Sequence, residues 1–147
     1  MQIAVTNSLR NIMSSNIRVR VENDIIISEV ASKFDVHAAM ELKQKIMDMI
    51  PKVGNGFWAH ICVSNDEESI SSESANVIKD LMNKGWENGC LVGAYVLSSS
   101  YVRQQLNQIA SDAGALNGTN GRVFDTFEQA YSHVKEILGG VTKREFI

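Results

Sequence analysis

Three short stretches of the sequence carry side chains that could do chemistry. In the apolar run FWAHICV, His60 and Cys62 stand two residues apart, so on a regular strand they share a face. A thiol beside an imidazole is the raw material of a nucleophile–base pair, which also needs hydrogen-bond reach and a third, orienting group. No third group is spaced to serve, and the run is otherwise apolar on both faces, so the pair reads as packing in a covered layer. Ser64, Asp66, Ser69, Ser71 and Ser72 lie in one polar loop, and Ser98, Ser99, Ser100 and Arg103 in and just after another. Both loops lead into helices, whose free N–H groups and dipole favour anions. Arg103 makes the second loop the better anion site, because Asp66, Glu67 and Glu68 make the first one acidic. The bland reading of the serines is helix capping, worth about 1 kcal/mol each.

Those three acids are oxygen ligands of the kind hard cations take. Their spacing matches no calcium loop, and acids near a helix start suit its dipole, so no metal is expected. His37 and His133 show no zinc spacing and read as surface residues. The sequence holds no P-loop, G-x-G-x-x-G, C-x-x-C, H-E-x-x-H or G-x-S-x-G, which removes the commonest enzyme readings. The expectation is a non-enzymatic chain without a cofactor.

The elements that would position these residues can be read from hydrophobic period. Ile17, Val19 and Val21 alternate with Arg18, Arg20 and Glu22, a half-exposed edge strand. Asn23-Asp24 is turn chemistry, and Ile25, Ile26 and Ile27 begin a second strand to about Val30, completing a hairpin. Asp35 caps a helix that Pro51 stops near Met49 or Ile50. The run FWAHICV and then CLVGAYVL, residues 90–97, are strands covered on both faces. Helices built on Ala75, Ile78, Leu81, Met82 and Trp86, and on Val102, Leu106, Ile109 and Ala110, follow them. Val123-Phe124 is a short strand. Thr126 with Gln129 is a capping box for a last helix, which Gly139-Gly140 is expected to end. The order β-β-α-β-α-β-α-β-α predicts an α/β fold: a mixed, mostly parallel sheet of about five strands with an N-terminal antiparallel hairpin and four helices.

With 147 residues, 44% hydrophobic and 21% charged, the chain suits one domain with a real core. Its net charge of −3 argues against a nucleic-acid binder, which would carry a basic patch. Two cysteines are too few for a secreted disulfide scaffold, no run reaches the roughly 18 apolar residues of a membrane span, and no signal peptide is visible. These features predict a cytoplasmic protein without an integral membrane segment. Residues 1–16 read as an arm whose Ile3, Val5, Leu9, Ile12 and Met13 pack on the body or on a partner. An unpaired edge at residues 17–21 invites pairing and allows a homodimer.

The segments FWAHICVS, CLVGAYVLSSS followed by YVRQQLNQIA, and the closing VFDTFEQAYSHVKEIL resemble the STAS superfamily, nearest its SpoIIAA-like branch, which is similar in fold to CRAL-TRIO lipid-binding domains. The resemblance covers about residues 17–138 and rests on strand and helix patterns, not on a catalytic signature. It implies one SpoIIAA-like (STAS-like) domain over residues 17–147 that binds an unidentified protein partner without catalysis. The better-known members are anti-sigma factor antagonists, gated by phosphorylation of a Ser or Thr where the helix after a central strand begins. The matching stretch here, with Ser64, Asp66, Ser69, Ser71 and Ser72 as candidate contact or switch residues, departs from the family's Asp-Ser-Ser-Gly-like motif. It has no glycine, is longer, and carries three acids that would repel the roughly −1.5 to −2 charge of a phosphate. The likeness to CRAL-TRIO domains implies an alternative, a carrier or sensor of an apolar small molecule. Trp86, Tyr95, Tyr101, Tyr131, Met40, Met47, Met49 and Met82 are the candidate lining, and a pocket of roughly 300 Å3 or more is the requirement.

Overall fold

A computed structural model describes residues 16–31, 33–54, 56–65 and 69–145, with side chains through residue 140. The arm up to residue 15 and Asp66, Glu67 and Glu68 lie outside the described residues. The alternating segment forms β1 (Ile17–Glu22), whose Ile17 is buried while Arg18, Arg20 and Glu22 face solvent. β1 pairs antiparallel with β2 (Ile25–Val30), Ile17 opposite Val30 and Glu22 opposite Ile25. Asn23 takes φ 56 in the turn between them, a left-handed conformation that asparagine tolerates. β3 (Trp58–Ser64), β4 (Cys90–Leu97) and β5 (Val123–Phe124) add in parallel, so the five strands stand in chain order.

Each helix starts where its capping side chain stands. The Asp35 carboxylate accepts from the Ala38 N–H at 2.8 Å to open α1 (Val36–Met49). Pro51 then turns the chain into one 3-10 turn, Ile50–Lys52. Ser71 accepts from the Ser74 N–H at the start of α2 (Ser72–Glu87), and Ser99 from the Val102 N–H at the start of α3 (Ser100–Ala113). Thr126 and Gln129 bond reciprocally, at 3.2 and 3.3 Å, before α4 (Phe127–Glu145). Gly139 and Gly140 do not end α4, which runs on to Glu145. A helical glycine costs about 1 kcal/mol against alanine without forbidding the conformation, and the C-terminal sequence after the pair has no proline to stop it.

From β2 to β5 every connection steps one strand along in the same direction, and right-handed crossovers then put all their helices on one face. α1, α2 and α3 accordingly cover the face that carries Ile26, Val30, Trp58, Tyr95 and Leu97. Among the described residues α4 covers the other, setting Ala130 and Val134 on Ala59, Ile61, Val92 and Ala94, all buried. The three small alanines let this helix lie close. One irregularity shapes the inner face: Trp58 pairs with Cys90 but Ala59 with Val92, so Leu91 is an extra residue on β4. The bulge returns Cys90 to the face that Gly93 and Tyr95 share.

Candidate functional site

A cavity of about 90 Å3 lies between the sheet and the three-helix layer. Its helix side is apolar, with Leu42 and Ile46 from α1, Ile78, Leu81 and Met82 from α2, and Val102 and Leu106 from α3. The strand side differs, because the inward positions of β3 read Trp58, His60, Cys62 and Ser64, and all four line the cavity. A second depression of about 350 Å3, lined by Trp86, Leu116, Asn117, Asn120 and Arg122 among others, is a wider surface feature. The mostly apolar space with a few convergent polar groups has the character of a small-molecule site.

The polar groups form a connected set. Ser28, wholly buried on β2, stands opposite Cys62 in register, and its Oγ lies 2.7 Å from His60 Nε2. Burial pushes the His60 pKa down to about 4, so the imidazole is neutral at pH 7 and offers one donor and one acceptor nitrogen. Burial pushes the Cys62 thiol up, and pushes the Cys90 thiol up to about 12. Neither is a thiolate at neutral pH, and the thiolate is the nucleophile. Ser28 itself is not on the cavity wall, so its pairing with His60 orients the ring and does not present a nucleophile. The arrangement can form hydrogen bonds within an apolar space.

Tyr95 completes the wall. Its side chain folds back along β4, and a Cβ at Gly93 would stand 2.6 Å from the phenol oxygen. Gly93 is thus needed for close approach. The phenol is driven above its ordinary pKa by burial. Gly93→Ala is expected to cost about 1–3 kcal/mol in urea unfolding, as overpacking of a core does. Tyr95→Phe in the same chain should return part of that loss, since it removes the nearest colliding atom. Additive costs in the double variant would mean that the Gly93 site relaxes by some other route.

The strand-end loops are neighbours, as Ser64 pairs with Leu97. Ser64 is buried on the cavity wall, Ser71 is the α2 cap, and Ser69 and Ser72 are exposed. Gln105 of α3 ties the loop down, accepting from the Ile70 N–H at 2.7 Å and donating to its carbonyl at 3.1 Å. In the second loop Ser99 is the α3 cap while Ser98 and Ser100 are exposed. Arg103 directs its guanidinium at the Leu97 carbonyl, at 2.6 and 2.8 Å, and at Asp125, at 3.5 Å. Ser71 and Ser99 therefore cap the helices that follow β3 and β4, and Arg103 holds the end of β4. A sheet wound in one direction also has no reversal of strand order, the place where open α/β sheets hold ligands.

Of the aromatic and methionine residues singled out in the sequence, Trp86, Tyr95 and Met82 line the cavity. Tyr131 packs on the opposite face, Met49 against the α1 core, and Met40 and Tyr101 are exposed. Ser28 and Gly93 were not legible as site residues. The signal for Ser28 is a polar residue breaking a run of isoleucines on an inward position. Among the described residues no group of three or more His, Cys, Asp or Glu could hold a metal ion, and no helix is long and apolar enough to cross a membrane. Comparison with protein-family models and with curated proteins finds no match.

Proposed function

We propose that the chain is a non-catalytic, STAS-like binding module of the SpoIIAA-like kind, and that its cavity takes a small, largely apolar molecule. The order of elements, with an antiparallel edge hairpin before parallel crossovers, supports the family reading. One observation carries the ligand reading: the cavity between sheet and helices is lined mainly by aliphatic and aromatic side chains. Its volume of about 90 Å3 is below the roughly 300 Å3 of sites for drug-sized ligands. The lipid-like alternative therefore narrows to a molecule of a few heavy atoms, or to the end of a longer chain. A protein partner at the exposed Ser69 and Ser72 is compatible with this role, the ligand then being what the module senses.

Xenon, an apolar probe of internal cavities, tests the reading. In xenon-saturated solution, amide and methyl resonances around Met82, Leu106 and Cys62 should shift with a saturable concentration dependence. In a Leu106→Phe variant, which fills the space, the shifts should disappear. Shifts spread evenly over the surface, or none, would rule out the cavity as a ligand site.

A further inference from the structure

The Tyr95 side chain is 8% exposed, yet its hydroxyl has no hydrogen-bond partner among the described residues, although it lies at the cavity wall over Gly93. A hydroxyl at the wall of an apolar space bonds to whatever occupies that space, so the phenol offers a hydrogen-bonding group to a molecule in the cavity. Gly93 reinforces the point, because any side chain at that position would displace the oxygen. His60 stands opposite Gly93 in register and lines the same space, with Nε2 engaged by Ser28. Its remaining ring nitrogen is a second group able to meet a ligand.

The walls also set the ligand's charge. Among the described residues no Lys, Arg, Asp or Glu lines the cavity. A carboxylate, phosphate or ammonium would be buried there without a counter-charge, at a cost that such groups avoid in proteins. Burial holds His60 neutral, so the imidazole supplies no counter-charge either. A pure hydrocarbon would fill the space but leave the phenol without its partner.

We propose that the cavity selects a small neutral molecule carrying one hydroxyl or carbonyl oxygen, which hydrogen-bonds to the Tyr95 hydroxyl with His60 alongside. This inference rests on the cavity being a ligand site, and the experiment separates the two. The probes are 1-butanol, butyrate, butylammonium and xenon, each titrated into the intact chain and followed by two-dimensional NMR. In the wild type, 1-butanol and xenon should bind at the cavity and the two ions should not. In Tyr95→Phe, the dissociation constant of 1-butanol should rise roughly tenfold, as loss of one buried hydrogen bond implies, while that of xenon stays the same.

Butyrate or butylammonium binding as tightly as the alcohol would overturn the neutral class, and this comparison needs only the wild type. Unchanged 1-butanol affinity in Tyr95→Phe would show that the hydroxyl serves only a bound water. That would overturn the inference while xenon binding left the cavity reading intact. Equal loss of alcohol and xenon would mean a collapsed pocket and would likewise overturn the role given to the oxygen. Failure of both probes on the wild type would overturn the ligand site together with this inference.

Discussion

Trp58→Ala should destabilise the protein by about 3–5 kcal/mol, the range for removing a buried aromatic. Trp58 is 2% exposed at the start of β3, and its indole Nε1 donates to the Asn88 carbonyl at 2.8 Å. The ring packs in the cluster that joins Ile26, Leu42, Ile46 and Leu81, so it links the sheet to both α1 and α2. It also forms part of the cavity wall beside Gly85, where a Cβ would stand 3.6 Å from the indole. Truncation would merge its own volume with the existing 90 Å3, and cores relax only partly around such a space. For a domain with about 5–15 kcal/mol of stability, that loss is a large fraction of the whole. The lost hydrogen bond is the minor part, because Asn88 is exposed and water can reach its carbonyl. Trp58→Phe should therefore retain most of the stability. Urea unfolding of the three proteins checks the order. Indole added to Trp58→Ala should raise its midpoint and leave the wild type unmoved, since only the variant has room for it. A cost below about 1 kcal/mol would mean that α1 and α2 close over the gap.

How far the sequence disclosed this architecture depends on how local each signal was. The caps at Asp35, Ser71, Ser99 and Thr126 act through bonds to residues three positions on, and such spacing is visible in a one-dimensional string. The inward faces of β1 and β3 follow a strict period of two, which is why His60 and Cys62 could be placed together. β4 breaks that period: the extra residue at Leu91 puts Cys90 and Gly93, three apart, on one face. No alternation rule anticipates a bulge, so the approach of Tyr95 to Gly93 was hidden. The Ser28–His60 bond joins residues 32 apart in sequence through strand register, and register appears only once the sheet exists. The serine-rich loops drew attention by composition, but in them Ser71, Ser99 and Arg103 bond to nearby backbone. Composition cannot separate a side chain that caps a helix from one held ready for a ligand.

His60→Gln should change how stability depends on pH more than it changes stability at neutral pH. The neighbours of His60 on the cavity wall, Cys62, Cys90 and Tyr95, are neutral thiols and a phenol, and Ser28 is neutral too. Among the described residues no carboxylate on that wall stands ready to hold an imidazolium. Burial therefore lowers the pKa from 6.5 to about 4 in the folded chain. Above pH 6.5 both the folded and unfolded forms are neutral at this residue, and the stability associated with it is complete. Below 6.5 the unfolded chain takes up a proton that the folded chain excludes, so stability falls as pH falls, until the folded form also protonates near pH 4. Each tenfold difference in proton affinity between the two forms is worth about 1.4 kcal/mol. The wild type should accordingly lose roughly 2–3 kcal/mol between about pH 7.5 and 4.5 from this residue alone.

Glutamine keeps a hydrogen-bonding group beside Ser28 but does not titrate. Urea unfolding of both proteins at the two pH values isolates the effect, because carboxylates common to both cancel in the difference. The wild type should lose its advantage over His60→Gln as the pH drops, and parallel pH curves would show that His60 is solvated in the folded state. Ligand binding provides a second reading of the same charge. An imidazolium in the cavity wall would carry its own hydration into an apolar space, so 1-butanol affinity should hold from about pH 7.5 to about 5 and weaken only as pH approaches 4. A loss centred near 6.5 would mean that the ring is as accessible to water as it is in the unfolded chain.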